Sequence, residues 1–245
     1  MTFSPRLKFG SILLLLSILF YSLHYFIFRD LYHIEVYLLG DLAFLPIDII
    51  IVILIIDKLL SDREKTSKLE KLNMVIGAFY SEVGTRLLKM LSEASPTIEE
   101  IRLHLAVTEK WSNSNFKSAV ERLASSKKSI DISSVDLTML KDVLVSKRDF
   151  MLRLLENPIL LEHESFTDVL RAVFHLTEEL DSRPNTTKLP KADLAHLQKD
   201  MERAYETLTR QWIENMMHLK KNYPYLFSLS MRTNPFLKDS TPVIK

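Results

Sequence analysis

The chain has 245 residues, 47% of them hydrophobic and 26% charged, with a formal net charge of +1, no cysteine and four glycines. That charge balance excludes a nucleic-acid binder driven by bulk electrostatics. Without cysteine there are no disulfides, thiolate metal sites or cysteine nucleophiles, which fits a reducing compartment. So few glycines disfavour β-rich and Rossmann-type folds, whose turns need them, and favour helices.

The apolar residues concentrate before Asp57 and the charged ones after it. Phe9 to Phe28 reads FGSILLLLSILFYSLHYFIF, with His24 its one group that titrates near neutral pH. Its length matches the hydrocarbon core of a bilayer. The run is too long for the apolar region of a signal peptide, and no small-residue cleavage site follows it. A second run, Leu38 to Ile56, also suits one span and carries Asp41, Pro46 and Asp48. Arg6 and Lys8 precede the first run, and Lys58, Arg63, Lys65, Lys68 and Lys71 follow the second. The loop between, 29–37, has Arg29 against Asp30 and Glu35. The positive-inside rule then predicts a two-pass protein of the cell (inner) membrane with both termini in the cytosol and the lipid bilayer as a partner. Tyr21, Tyr25, Tyr32 and Tyr37 cluster at the outer boundary, where interfacial aromatics belong.

Asp48 is costly inside an apolar span, and such carboxylates face partners, water or an ion path. It reads as a relay or as a polar contact between protomers. The plain alternative is a partly hydrated carboxylate that Pro46 accommodates, or that pairs with His24 on the first span.

Beyond Asp57 the second span runs on without a proline into a stalk helix. Leu69, Leu72, Ile76, Phe79 and Val83 recur at 3- and 4-residue spacing, one apolar helix face. Gly77 and Gly84 lie seven apart on one face, where a second helix can approach closely. Ser95-Pro96-Thr97 with Glu100 reads as a capping box that opens a helix over about 97–110. A short helix around Phe116 to Leu123 precedes a Ser- and Lys-rich connector, 125–134. Ser133 with Asp136 reads as a second capping box, opening a helix that ends near Asn157-Pro158. Phe166 to Leu176 marks the next helix, which stops before Asp181. Lys188-Leu189-Pro190 opens a last long helix with an apolar stripe from Leu194 to Leu219, which reads as core. The tail, 223–245, is apolar enough to dock on the bundle, a membrane or a partner. The expected architecture is all-α: a transmembrane hairpin over 1–56, a cytosolic helical bundle over 57–222, and the tail.

One constellation has metal-ligand chemistry. His163, Glu164, Asp168, His175 and Glu178, next to Glu162 and Glu179, mix imidazoles and carboxylates on one helix, and facing helices of bundles can bind metals with such groups. The Glu-x-x-His signature of di-iron bundles is absent, and Arg171 sits within the face. The plain reading is a solvated charged stripe. There is no phosphate-binding glycine loop, HExxH or GxSxG, and the Lys127-Lys128 pair is too short for a nucleic-acid patch.

Phe44-Leu45-Pro46-Ile47-Asp48, Leu69 to Phe79, Ser81-Glu82-Val83-Gly84, Leu155-Glu156-Asn157-Pro158, Leu161 to Glu164, Phe174 to Leu180 and Arg232-Thr233-Asn234-Pro235-Phe236 together resemble a prokaryotic family of uncharacterised two-pass membrane proteins with a helical cytosolic domain. The family has Glu where Asp48 stands, so the carboxylate persists on a shorter arm. The resemblance implies the two spans and a prokaryotic source. It brings no catalytic residue and no known cofactor. The leading expectation is a non-enzymatic, membrane-anchored helical module acting through a protein partner or self-association. A metal-binding helical enzyme or sensor, and an oligomeric ion-coupled component built on Asp48, are the alternatives.

Overall fold

A computed structural model describes residues 5–125, 128–161 and 163–243. Lys127 and Glu162 lie outside the described residues. All regular elements among the described residues are helical. The chain forms two compact units, Met1–Lys65 and Thr66–Lys245.

The first unit contains α1 (Pro5–Phe28) and most of α2 (Leu31–Phe79). The loop expected over 29–37 shrinks to two residues. Arg29 takes the left-handed conformation, φ 48°, which reverses the chain, and the Asp30 carboxylate accepts from the His33 ring at 2.8 Å, holding the first turn of α2. Pro46 lies inside α2, where its missing N–H leaves the carbonyl one turn back without its usual donor. The large apolar side chains of this unit face outward, with Leu14, Leu39, Ile50 and Leu54 all more than half exposed. Both helices are long and apolar enough to cross a membrane, and none of their apolar stretch is buried.

The second unit begins in α2 and buries Leu72, Ile76 and Phe79, while Leu69, one turn earlier, stays exposed. A π-helical turn, Tyr80–Gly84, leads into α3 (Thr85–Glu93). The wider turn turns both Phe79 and Tyr80 inward. Phe79 packs edge-to-face on Phe166, and the buried Tyr80 hydroxyl donates to the Leu208 carbonyl at 2.8 Å. The two glycines expected to receive another helix differ. A Cβ at Gly84 would sit 2.7 Å from the Tyr80 ring and 3.0 Å from that of Phe79, whereas one at Gly77 would meet nothing within 4 Å. Gly84 therefore accommodates its own helix's aromatics.

Next come α4 (Ile98–Leu105), α5 (Asn113–Ser125), α6 (Leu137–Val145), α7 (Arg148–Leu155), α8 (Pro158–Leu161), α9 (Glu164–Asp181), α10 (Lys191–Asn222) and α11 (Pro224–Arg232). Thr97 stands at the N-cap of α4 without a side-chain cap bond, and α4 stops at Leu105, short of the expected 110. The helix expected from Ser133 to Asn157 is two helices, broken at Ser146-Lys147. Asp136 itself caps α6, accepting from the Met139 amide at 2.9 Å, while Ser133 belongs to a short 3₁₀ turn capped by Asp131. Asp131 and Asp136, five residues apart, each cap an element, and the one nearer the apolar run starts the α-helix.

Helix α10 is the core of this unit. Leu197, Met201, Tyr205, Leu208, Trp212 and Met216 are buried along one face, against α9, α5, α3 and α11. Each such side chain contributes about 1.5–3 kcal/mol through burial. The C-terminal segment docks on this core. Phe236 is buried edge-to-face on Trp212, the Asn234 side chain donates to the Leu105 carbonyl at 2.8 Å, and Arg102 donates to the Phe236 carbonyl at 2.8 Å. Gly84→Ala should destabilise the chain by about 1–3 kcal/mol, because the Tyr80 ring is tethered and cannot retreat. Gly77→Ala should be neutral or stabilise by up to about 1 kcal/mol. Denaturant unfolding of the two variants checks the contrast.

Candidate functional site

Helices α9 and α10 are joined by the segment 182–190 and pack along each other. The joint is fixed by side chains. Arg183 grips Asp193 through two hydrogen bonds of 2.6 and 2.9 Å and reaches back to Glu179 at 2.8 Å. Lys141 donates to the Arg183 carbonyl at 2.8 Å, and Asn185 accepts from the Thr187 amide and hydroxyl. The end of α9 and the start of α10 are thereby held side by side.

At that junction two i,i+4 pairs meet. His175 and Glu179 share a face of α9, and His196 and Asp200 share a face of α10. His196 Nε2 lies 3.4 Å from Asp200 Oδ2 and 3.5 Å from Glu179 Oε2. His175 Nε2 lies 3.7 Å from Asp200 Oδ1 and 3.9 Å from Glu179 Oε1. One ligand atom each from Glu179, His196 and Asp200 lie within 4.8 Å of one another. The two imidazoles are about half exposed, whereas the Asp200 side chain is only 4% exposed. Asp200 is the one charged residue among the buried polar residues described, and its Oδ2 has no hydrogen-bond partner. The hydrogen bond from Arg183 holds the Glu179 carboxyl below its usual range, and the charges of Arg183 and the two imidazoles act the same way against the opposing effect of burial. Asp193 is lowered by the same guanidinium.

The expected residues divide. His175 joins the cluster. Glu178, one position before Glu179 and so turned about 100° away on the helix, pairs instead with Arg148 at 2.6 Å. His163 is the N-cap of α9, its Nδ1 accepting from the Phe166 amide at 3.3 Å. Glu164 is exposed in the first turn of α9. Asp168 is exposed 3.8 Å from Arg171, and both line an open groove of about 390 Å³ with His175, Arg203 and Thr207. His196 and Asp200 went unremarked in the sequence, although a signal exists. Asp200 occupies a position in the apolar register of α10, three residues after Leu197 and four before Ala204. In the first unit, His24 lines a cleft with Tyr21, Tyr37 and Asp41, its ring packed on Phe28, and Asp48 is exposed and does not line that cleft.

An all-helical domain carrying a histidine–carboxylate cluster is the class that fold and site define. The chain belongs to the MJ1433 family. Residues 68–232 match the family described as "Uncharacterized protein MJ1433, C-terminal helical domain", and residues 2–60 match "MJ1433, N-terminal helical domain". A relative named "Uncharacterized protein MJ1433", from the archaeon Methanocaldococcus jannaschii, is 48% identical over 224 residues, which cover 91% of this chain and 90% of that protein. No solved structure matches the chain.

The ordinary carboxyl values of Glu179 and Asp193 are 4.5 and 3.8, and both fall on folding. Their contribution to stability is therefore full above those values and is lost as the pH drops through the lower folded ones. The unfolding free energy of Arg183→Gln should fall less steeply between about pH 5 and 3 than that of the parent, as denaturant titrations across that range would show.

Proposed function

We propose that this protein is a membrane-anchored helical interaction module, with the α1–α2 hairpin crossing the bilayer twice and the Thr66–Lys245 domain in the cytosol. The observation that supports this reading is the exposure of the apolar stretches of α1 and α2. A long apolar helix in the core of a soluble protein would be mostly buried, whereas none of this surface is. Exposed apolar area on this scale is stable in lipid and a strong aggregation drive in water. The flanking charges set the orientation, with Arg6, Lys8 and the basic run after Ile56 on the cytosolic side. The role is scaffolding or signal relay through a protein partner or a second copy. Asp48 favours a second copy, because an exposed carboxylate on an apolar span is stabilised by a polar contact across protomers.

The chain lacks cysteine, so single-cysteine variants report topology without background. An impermeant maleimide should label Tyr32→Cys on intact cells and Asp239→Cys only after permeabilisation, with the protein retained in membranes through an alkaline wash. Recovery of the full chain as a soluble monomer, or equal labelling of both sites, would refute the anchor. Asp48→Leu should lower the yield of cross-linked dimer in membranes. An unchanged yield would remove Asp48 from the contact.

A further inference from the structure

We infer that Glu179, His196 and Asp200, with His175 as the fourth ligand, form a binding site for one divalent first-row transition-metal ion. This goes beyond the anchoring reading and stands independently of it. The starting point is Asp200. Its side chain is 4% exposed, and Oδ2 has no hydrogen bond. A buried carboxylate oxygen that accepts no hydrogen bond is disfavoured, and such groups are retained where a cation meets them. The groups facing that oxygen are not a guanidinium or an ammonium. The His196 imidazole faces Oδ2, the His175 imidazole faces Oδ1, and the Glu179 carboxylate stands beside them, all donor groups for a metal.

The spacing fits. A tetrahedral ion with bonds of about 2.0–2.1 Å holds its ligand atoms roughly 3.3–3.4 Å apart. His196 Nε2 is 3.4 and 3.5 Å from its two carboxylate oxygens, and His175 Nε2 is 3.7 and 3.9 Å from the other oxygens of the same carboxylates. Glu179, His196 and Asp200 already bring one ligand atom each within 4.8 Å of one another, and the half-exposed His175 ring turns inward to complete the set.

The surroundings serve the same end. Arg183 donates to Glu179 Oε2 and is itself held by Asp193, so the glutamate is oriented by a fixed second layer. Three carboxylates, Glu179, Asp193 and Asp200, oppose the one guanidinium, which leaves a net charge of two negatives to meet a divalent ion. The nitrogen ligands select against calcium and magnesium, which prefer all-oxygen shells, and favour zinc and its neighbours. The half-exposed imidazole side gives the ion an entry path, next to the groove lined by Arg171 and Arg203.

The test uses the full chain, purified without chelator or histidine tag and titrated with zinc against a competing fluorescent indicator. One equivalent should bind, and His196→Ala and Asp200→Asn should each weaken binding at least tenfold. Asp200→Asn keeps the shape of the side chain, and circular dichroism checks that it remains helical. His104→Ala, a histidine outside the cluster, should bind like the parent. If a folded parent takes up no zinc, or if the Asp200→Asn and His104→Ala variants bind as the parent does, the four residues are only imidazolium–carboxylate pairs and the site is refuted.

Discussion

Burial of the apolar face of α10 is the constraint on which the second unit depends. Leu197, Met201, Tyr205, Leu208, Trp212 and Met216 offer one continuous stripe, and α9, α3, α5 and α11 each cover part of it. The Tyr80 hydroxyl on the Leu208 carbonyl and the docking of Phe236 on Trp212 are consequences, since each brings a distant segment onto α10, and the Phe79–Phe166 contact ties α2 to α9 beside it. The same constraint makes Asp200 unusual. Its place in the stripe takes a carboxylate out of water, and among the described residues no lysine or arginine pairs with it. Its neighbours at the α9–α10 junction are Glu179 and two half-exposed histidines.

The two units present different surfaces. The second hides its apolar side chains from water and displays charge. The first displays its apolar side chains, with Ser22 bonding back to its own helix and Pro46 within α2. A helical backbone satisfies its own hydrogen bonds, so such a hairpin is stable where water is absent. The family match follows the same division, with one region over 2–60 and another over 68–232.

Helix existence was legible in the sequence wherever an apolar period ran for several turns. The stripe of α10 read directly as core, and the apolar face around Leu72, Ile76 and Phe79 was visible from spacing alone. Boundaries were less legible, because they depend on which of several capping residues wins, as with Ser133 and Asp136, and on breaks such as Ser146-Lys147 that carry no proline or glycine. The docking of the 233–236 segment rests on Asn234 and Arg102 reaching backbone carbonyls far away in sequence. No local pattern announces such contacts. The histidine–carboxylate cluster was half visible. His175 stood out in its helix, but its partners come from the next helix, and pairing residues across a hairpin needs the register of the two faces. The clue available was a lone acid in an apolar period.

X-ray absorption at the zinc edge of the zinc-loaded full chain tests the account of the cluster most directly. It predicts a first shell of nitrogen and oxygen at about 2.0–2.1 Å, with outer-shell scattering from two imidazole rings that falls to one ring in His175→Ala. A shell of oxygen alone, or a ring count unchanged in that variant, would contradict it.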